Sequence, residues 1–252
     1  MATVYTNKVG DIGYVMLNKP ERRNAIDPDM MDVMTECFST LESDPEVRVV
    51  VLSGEGDHFC SGGDLKAAPG GHTIESSHHA LRKYGKTVQT IQGMEKPVIA
   101  SVKGYAVGGG MSLALACDII FAGESTKFSC NFLKVGIVPE MGAMMFMPQL
   151  IGMQRSKELW YTGRIVSGEE ALHMGFVNRV VADADLEKET FAFAKQISSV
   201  PAMSLAITKR IANSTYHKDL GSILDVETLS TPFCSQTKEH KDLVEAFLNK
   251  KK

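Results

Sequence analysis

Neither sign of charge dominates this chain of 252 residues: 27 basic and 30 acidic side chains leave a formal net charge of -3. A protein that binds nucleic acid by bulk electrostatics needs a clustered lysine and arginine excess, so no nucleic-acid partner is expected. The only basic run, Lys250-Lys251-Lys252, reads as a solvated chain end. No uninterrupted apolar run of roughly 18 residues occurs, which excludes a transmembrane helix and leaves no expected membrane partner. Met1 to Gly10 lacks both the basic-then-apolar layout of a signal peptide and the arginine-rich look of a transit peptide. The last three residues are not a peroxisomal address. Five cysteines, without CxxC or Cys/His metal spacing, read as structural thiols in a reducing compartment, and no metal site is expected. Repeats of fixed period and low-complexity segments are also missing. A cytoplasmic, enzyme-sized protein is what these absences leave.

The segments that are present alternate strand and helix. Val4–Lys8 and Tyr14–Asn18 flank Gly10-Asp11 as an N-terminal hairpin. Asp27 is placed to cap a helix that opens on Pro28 and buries Met30, Met31, Val33, Met34, Phe38 and Leu41. Val47–Ser53 is continuous and β-branched, as a strand covered on both faces would be. Ile74–Met94 is helix-like, and Val98–Val102 and Asp118–Ala122 are strands, with Met111–Cys117 between them. Short strands are expected at Lys127–Cys130 and Asn178–Val181. This alternation implies parallel strands with crossover helices, an α/β core. Beyond about residue 184 only helical spacing remains: Met203, Ala206, Ile207 and Ile211, then Leu220, Ile223 and Leu224, then Leu243, Val244, Phe247 and Leu248. A boundary near Pro201 divides a core of residues 1–200 from a helical region of residues 201–252. That region, about 50 residues, is too small to stand alone and should pack on the core or a neighbouring subunit.

Two segments put glycines between a strand and a helix: Phe59–Lys66 and Lys103–Met111. Glycine there permits positive φ and lets a ligand approach bare backbone. Free N–H groups at a helix start point outward, with the helix dipole behind them. Two such turns side by side would offer two donors to one developing anion. Taken singly, each segment is equally well explained by glycines that do no more than turn the chain. Neither matches G-x-G-x-x-G or a P-loop, so no dinucleotide or nucleoside-triphosphate site is indicated. No G-x-S-x-G elbow is present to support a hydrolase triad.

With these turns in place, the sequence resembles the enoyl-CoA hydratase/isomerase (crotonase) superfamily over nearly its whole length. The marks are the Asn18–Ala25 loop, Phe59–Lys66, Gly104–Gly110, Cys117–Ala122, Gly136–Pro139, Thr162–Arg164 and Glu170–Asn178. The resemblance implies a spiral of ββα turns closed by C-terminal helices, assembled as a trimer or a dimer of trimers. It implies an acyl-CoA thioester substrate, with coenzyme A part of that substrate and no separate cofactor. By position, the backbone N–H groups of Gly63 and Gly109 would form an oxyanion hole for the thioester enolate, each donor worth about 3 kcal/mol. The same carry-over places Arg22, Ala25, Ser61, Asp64, Leu65, Lys66 and Met141 at the coenzyme A and substrate site. Read from the residues alone, Arg22 and Lys66 are also ordinary surface charges, and Asp64 a cap for the following turn.

An oxyanion hole does not choose the reaction; the acid and base groups do. Hydratases of this family carry one glutamate just after the glycine triplet and a second shortly before the Gly-x-x-Pro turn. Here Ser112 and Phe132 stand at those positions. Glu140 follows the turn proline directly, where isomerases that move a double bond from C3 to C2 often carry their acid. One carboxylate suffices for a 1,3-proton shift, and Met141, Met144, Met145, Phe146 and Met147 give it an apolar setting that raises its pKa. An acid after proline also suits a helix start. Fourteen methionines make either core filler or, at Met141, Met144 and Met145, a pliable acyl pocket. His58, His72, His78 and His79 show no ligand spacing, and Trp160 and Tyr161 are assigned to the core. The expected activity is a Δ3,Δ2-enoyl-CoA isomerase with Glu140 as its single acid/base. The alternatives are another coenzyme A thioester reaction (hydration, decarboxylation or thioester hydrolysis) and a non-catalytic binding homologue.

Overall fold

The computed structural model describes residues 2–64, 73–215 and 218–249. Leu65, Lys66 and His72 lie outside the described residues. The chain opens with β1 (Val4–Val9) and β2 (Ile12–Leu17), an antiparallel hairpin in which Val4 faces Leu17 and Val9 faces Ile12. Then come α1 (Pro28–Ser43), β3 (Val49–Gly54), α2 (Ile74–Gly93), β4 (Val98–Val102) and β5 (Tyr105–Val107). α3 (Gly109–Ala116), β6 (Ile119–Gly123), β7 (Lys127–Ser129), α4 (Ala143–Ile151) and α5 (Met153–Thr162) follow. β8 (Val166–Ser167), α6 (Gly168–Met174), β9 (Arg179–Val181) and α7 (Leu186–Ser198) complete the α/β part. α8 (Ala202–Ser214), α9 (Leu220–Gln236) and α10 (Lys238–Asn249) end it, where the apolar spacing placed helices.

The main sheet has six strands in the order β1-β2-β3-β4-β6-β9, parallel from β2 onward. A second sheet of order β5-β7-β8 lies beside it. Strand periodicity explains how two layers cover the main sheet. Val50, Leu52, Val98, Ala100 and Val102 point into the larger core, with α1 and α2. Their neighbours Val49, Val51 and Ile99 point the other way, onto Leu186 and Ala194 of α7. β3 starts at Val49 rather than Val47, and Val33 of α1 is half-buried rather than core. The cap on α1 is as expected: Met30 N–H donates to the Asp27 carboxylate at 2.8 Å, with Pro28 in the first turn.

α8 is fastened to the core by a buried cation, and by the Asn213 amide, which donates to Gln92 O at 3.0 Å. Lys209 Nζ lies 2.7 Å from Asp118 and donates to the carbonyls of Ile91 at 3.0 Å and Lys96 at 3.1 Å. All three donor hydrogens are therefore used. Burial pushes the Asp118 carboxyl upward against the pull of Lys209. Losing one partner of such a pair leaves a buried charge uncompensated, so Lys209→Met should cost about 3 to 5 kcal/mol of stability. Urea unfolding measures it, and adding Asp118→Asn should restore part of the loss; no recovery would place the loss elsewhere.

Candidate active site

The two glycine turns meet. The chain bridges Cys60 to Ala106 and Ile26 to Gly63, so the Arg22–Ile26 loop, the Cys60–Asp64 turn and β5 lie side by side. Ile26 N–H donates to Gly62 O at 2.9 Å and Asp64 N–H to Ile26 O at 2.8 Å, while Ser61 N–H donates to Arg23 O at 2.9 Å. Gly62 has φ +93°, and a side chain there would run into Val107 O. Gly108 has φ +53° and opens α3. Gly110 packs so closely on Cys60 that an added Cβ would overlap its carbonyl oxygen.

These bonds use many, but not all, of the backbone donors around the turns. Among the described residues, the N–H groups of Gly63 and Gly109 donate to no protein acceptor. Gly109 is the first residue of α3, where no intrahelical acceptor exists. Around Gly109 the side chains are apolar, Ile26 and Met141, each close to where its Cβ would point. These two N–H groups thus lie on turns that touch, with apolar side chains beside Gly109.

Glu140 precedes α4 and has a half-buried side chain. Burial alone raises its carboxyl above the usual carboxylate range. Its main-chain oxygen accepts from Ala143 N–H at 3.2 Å and from the Ser112 hydroxyl at 3.0 Å. Met141, next in the chain, is buried and holds φ 56°. Phe132 is buried with its ring beside Gly108. Across from these, Tyr84 of α2 is packed against the core. Its phenol is pushed up by burial first, then by the charges of Glu140 and Asp27, with smaller contributions from Cys60 and Asp64, so it stays a neutral hydroxyl.

The sequence of the family described as Enoyl-CoA hydratase/isomerase matches residues 7–252. A short-chain-enoyl-CoA hydratase from Clostridium acetobutylicum is 32% identical, over 99% of this chain and 95% of its own. The chain belongs to the enoyl-CoA hydratase/isomerase family. A 1,2-epoxyphenylacetyl-CoA isomerase from Escherichia coli K12 is also 32% identical, over 93% of this chain and 91% of its own. The crystal structure of an enoyl-CoA hydratase from Bacillus anthracis superposes with a TM-score of 0.94 at 30% identity, covering 98% of this chain and 96% of that one. The α/β architecture is thus the crotonase fold, and this is a crotonase-superfamily acyl-CoA enzyme.

Within this family member, the site residues singled out from the sequence that are described fall in one place. Arg22, Ala25, Ser61, Gly63, Asp64, Gly109, Glu140 and Met141 surround the paired turns. Leu65 and Lys66 lie outside the described residues. The Arg22 guanidinium is turned onto the Asp64 carboxylate at 3.0 Å, with Lys19 3.7 Å away and also paired to Asp27 at 2.8 Å. Asp64 is therefore an ionic anchor between two loops. Met144 and Met145 are exposed, unlike Met141. His78 and His79 are exposed too. Trp160 is buried and donates to the Met147 sulfur at 3.1 Å, but Tyr161 is 67% exposed, so its assignment to the core fails. The helix α5 turns only one side inward, Ser156, Leu159 and Trp160, and residue 161 points away.

Two residues here were not anticipated from sequence. Asn24 is fully buried at φ 54°; its amide donates to the carbonyls of Glu55 and His58, and its oxygen accepts from Lys19 N–H. An asparagine tolerates the left-handed region better than most residues, and that preference was the available signal. Tyr84 continues the inward stripe Thr87, Val88 and Ile91 one turn upstream. The five cysteines are free thiols, and burial pushes Cys60 up to about 12, which leaves it unreactive. Among the described residues no group of acids, histidines and cysteines is arranged to hold a metal, and no helix is long and apolar enough to cross a membrane.

Proposed function

We infer that this enzyme is a Δ3,Δ2-enoyl-CoA isomerase in which Glu140 is the single acid/base. The observation that carries this reading is one carboxylate, its pKa raised by burial, beside two unbonded backbone donors, with a serine and a phenylalanine at the hydratase acid positions. Glu140 takes a proton from C2 of a 3-enoyl thioester. The C2–H electron pair moves into the C1–C2 bond, and the charge settles on the thioester oxygen between the N–H groups of Gly63 and Gly109. The same carboxyl then returns its proton to C4, the C2–C3 double bond forms and the thioester carbonyl is restored. Arg22, Ala25, Ser61, Asp64, Leu65, Lys66 and Met141 are assigned to the coenzyme A and acyl contacts. No cofactor beyond the substrate's coenzyme A is required, nor a nucleic-acid or membrane partner, and a cytoplasmic setting suits a chain of reduced cysteines.

Residues 201–252 are assigned to assembly, as a homotrimer or a dimer of trimers. Leu229, Phe233, Phe247 and Leu248 stand exposed on α9 and α10, large apolar side chains of the kind that assembly covers. The likeness to a short-chain-enoyl-CoA hydratase favours hydration as the second reading.

The two readings separate on product. Incubated with a 3-enoyl-CoA in deuterated water, the enzyme should yield the 2-enoyl-CoA with part of its C4 hydrogen carried over from C2. Consumption of 2-enoyl-CoA to 3-hydroxyacyl-CoA, with 3-enoyl-CoA untouched, would establish hydration instead. The base must be ionised to act, so kcat should fall as pH drops, with a midpoint above the ordinary glutamate value because burial raises Glu140. A midpoint at or below that value would remove Glu140 from the role.

A further inference from the structure

Ser112 occupies the middle of α3 and is fully buried. A serine inside a helix ordinarily turns its hydroxyl back to the carbonyl one turn earlier. That acceptor is present here, Gly108 O at 3.3 Å, yet the Ser112 oxygen lies nearer to Glu140 O, at 3.0 Å, on a different element. The segment it reaches is strained. Met141 and Gly142 follow each other at φ 56° and φ 84°, a left-handed pair that includes one non-glycine residue. Conformations of this kind persist only where their surroundings hold them. Glu140 O is gripped from two sides, by the Ala143 N–H and by the Ser112 hydroxyl, immediately before the strained pair. Three residues before Ser112, in the same short helix, stands Gly109.

We propose that Ser112 is a positioning residue, its hydroxyl tying the Glu140 main chain to the helix that carries Gly109 and so setting base against oxyanion donor. The proposal rests on the reading of Glu140 as the base. Without the hydroxyl, Glu140 O keeps its Ala143 bond, but nothing joins the loop to α3 at this point. The Glu140 carboxyl then drifts from the α-carbon it must reach, while the Arg22–Ile26 loop and the Cys60–Asp64 turn assigned to coenzyme A keep their own bonds.

The test is steady-state kinetics of Ser112→Ala and Ser112→Thr on a 3-enoyl-CoA, with thermal melting of each and Glu140→Gln as a reference. Ser112→Ala should lower kcat by about tenfold to hundredfold, the scale of a small misplacement of reacting groups. KM should stay within about twofold, because substrate binding is not disturbed. The acid limb of the pH profile should move down toward the ordinary glutamate value as the freed carboxyl takes on water. Ser112→Thr, which keeps the hydroxyl, should recover most of the rate; if it does not fold in this buried place, the alanine variant decides alone. A folded Ser112→Ala enzyme with unchanged kcat and pH limb overturns the proposal, as does a drop in melting temperature with no kinetic change. If Glu140→Gln still isomerises the substrate, the base assignment falls and this proposal falls with it.

Discussion

Glu140→Gln should lower kcat for 3-enoyl-CoA isomerisation by about a thousandfold, within the range spanned by lost general acid–base groups. Glutamine has the same size and reach but cannot accept the C2 proton, so the transition state loses about 4 kcal/mol while binding is retained. KM should therefore change little. Stability should respond in the opposite sense. Burial raises the folded-state pKa of Glu140, so its ionised form is disfavoured in the native protein relative to the unfolded chain. Above the ordinary glutamate pKa the native state carries that penalty; below it, both states bind the proton and the penalty vanishes. The glutamine variant should melt higher than wild type near neutral pH and match it in acid. A variant that stays active, or that melts lower at neutral pH, contradicts the role or the environment assigned to Glu140.

Gly110→Ala should be the most damaging change in the glycine turns. An added methyl would overlap the Cys60 carbonyl oxygen and crowd the Cys60 Cβ, and backbone cannot give way as a side-chain tip can. Overpacking of this kind costs about 3 kcal/mol or more. Because α3 carries both Gly109 and Ser112, its displacement should also abolish turnover. The control is Gly63→Ala: among the described residues nothing lies within 4 Å of its Cβ position, so the fold should survive. Denaturant midpoints and kcat for the two variants make the comparison. Equal stability of the two would mean that the close packing of the turns is not what demands glycine at 110.

Much of the fold was legible because its signals are local. The β-branched run at Val49–Leu52, the all-buried Val98–Val102 and the Asp27-Pro28 helix start each state their structure within a few residues. The glycine turns were legible for the same reason, since close approach and positive φ leave no other residue suitable at Gly62 and Gly110. What escaped depends on pairs far apart in the chain. The bond from Ser112 to Glu140 O crosses from one element to another, and sequence shows only a serine where an acid was expected. Tyr84 carried a visible helical stripe, but its position opposite Glu140 depends on how α2 settles on α1 and α3. Arg22 looked like a free surface cation until the loop folded it onto Asp64. Tyr161 failed because neighbouring residues of an amphipathic helix face different ways, and composition alone does not say which faces in.

The buried cation of α8 also bears on the order in which the protein assembles. Lys209 finds its acceptors 118 and 113 positions back along the chain, at Ile91 and Lys96. Contacts of such span are entropically late, because the intervening chain must already be compact before they can close. Apart from Lys209, the Asp118 carboxylate at the head of β6 accepts from the Val98 N–H at 2.7 Å. The same seam is the natural place for the native state to open first, since the helices beyond it bury no residues fully of their own. One lysine of α8 thus bears on both chain closure and partial opening.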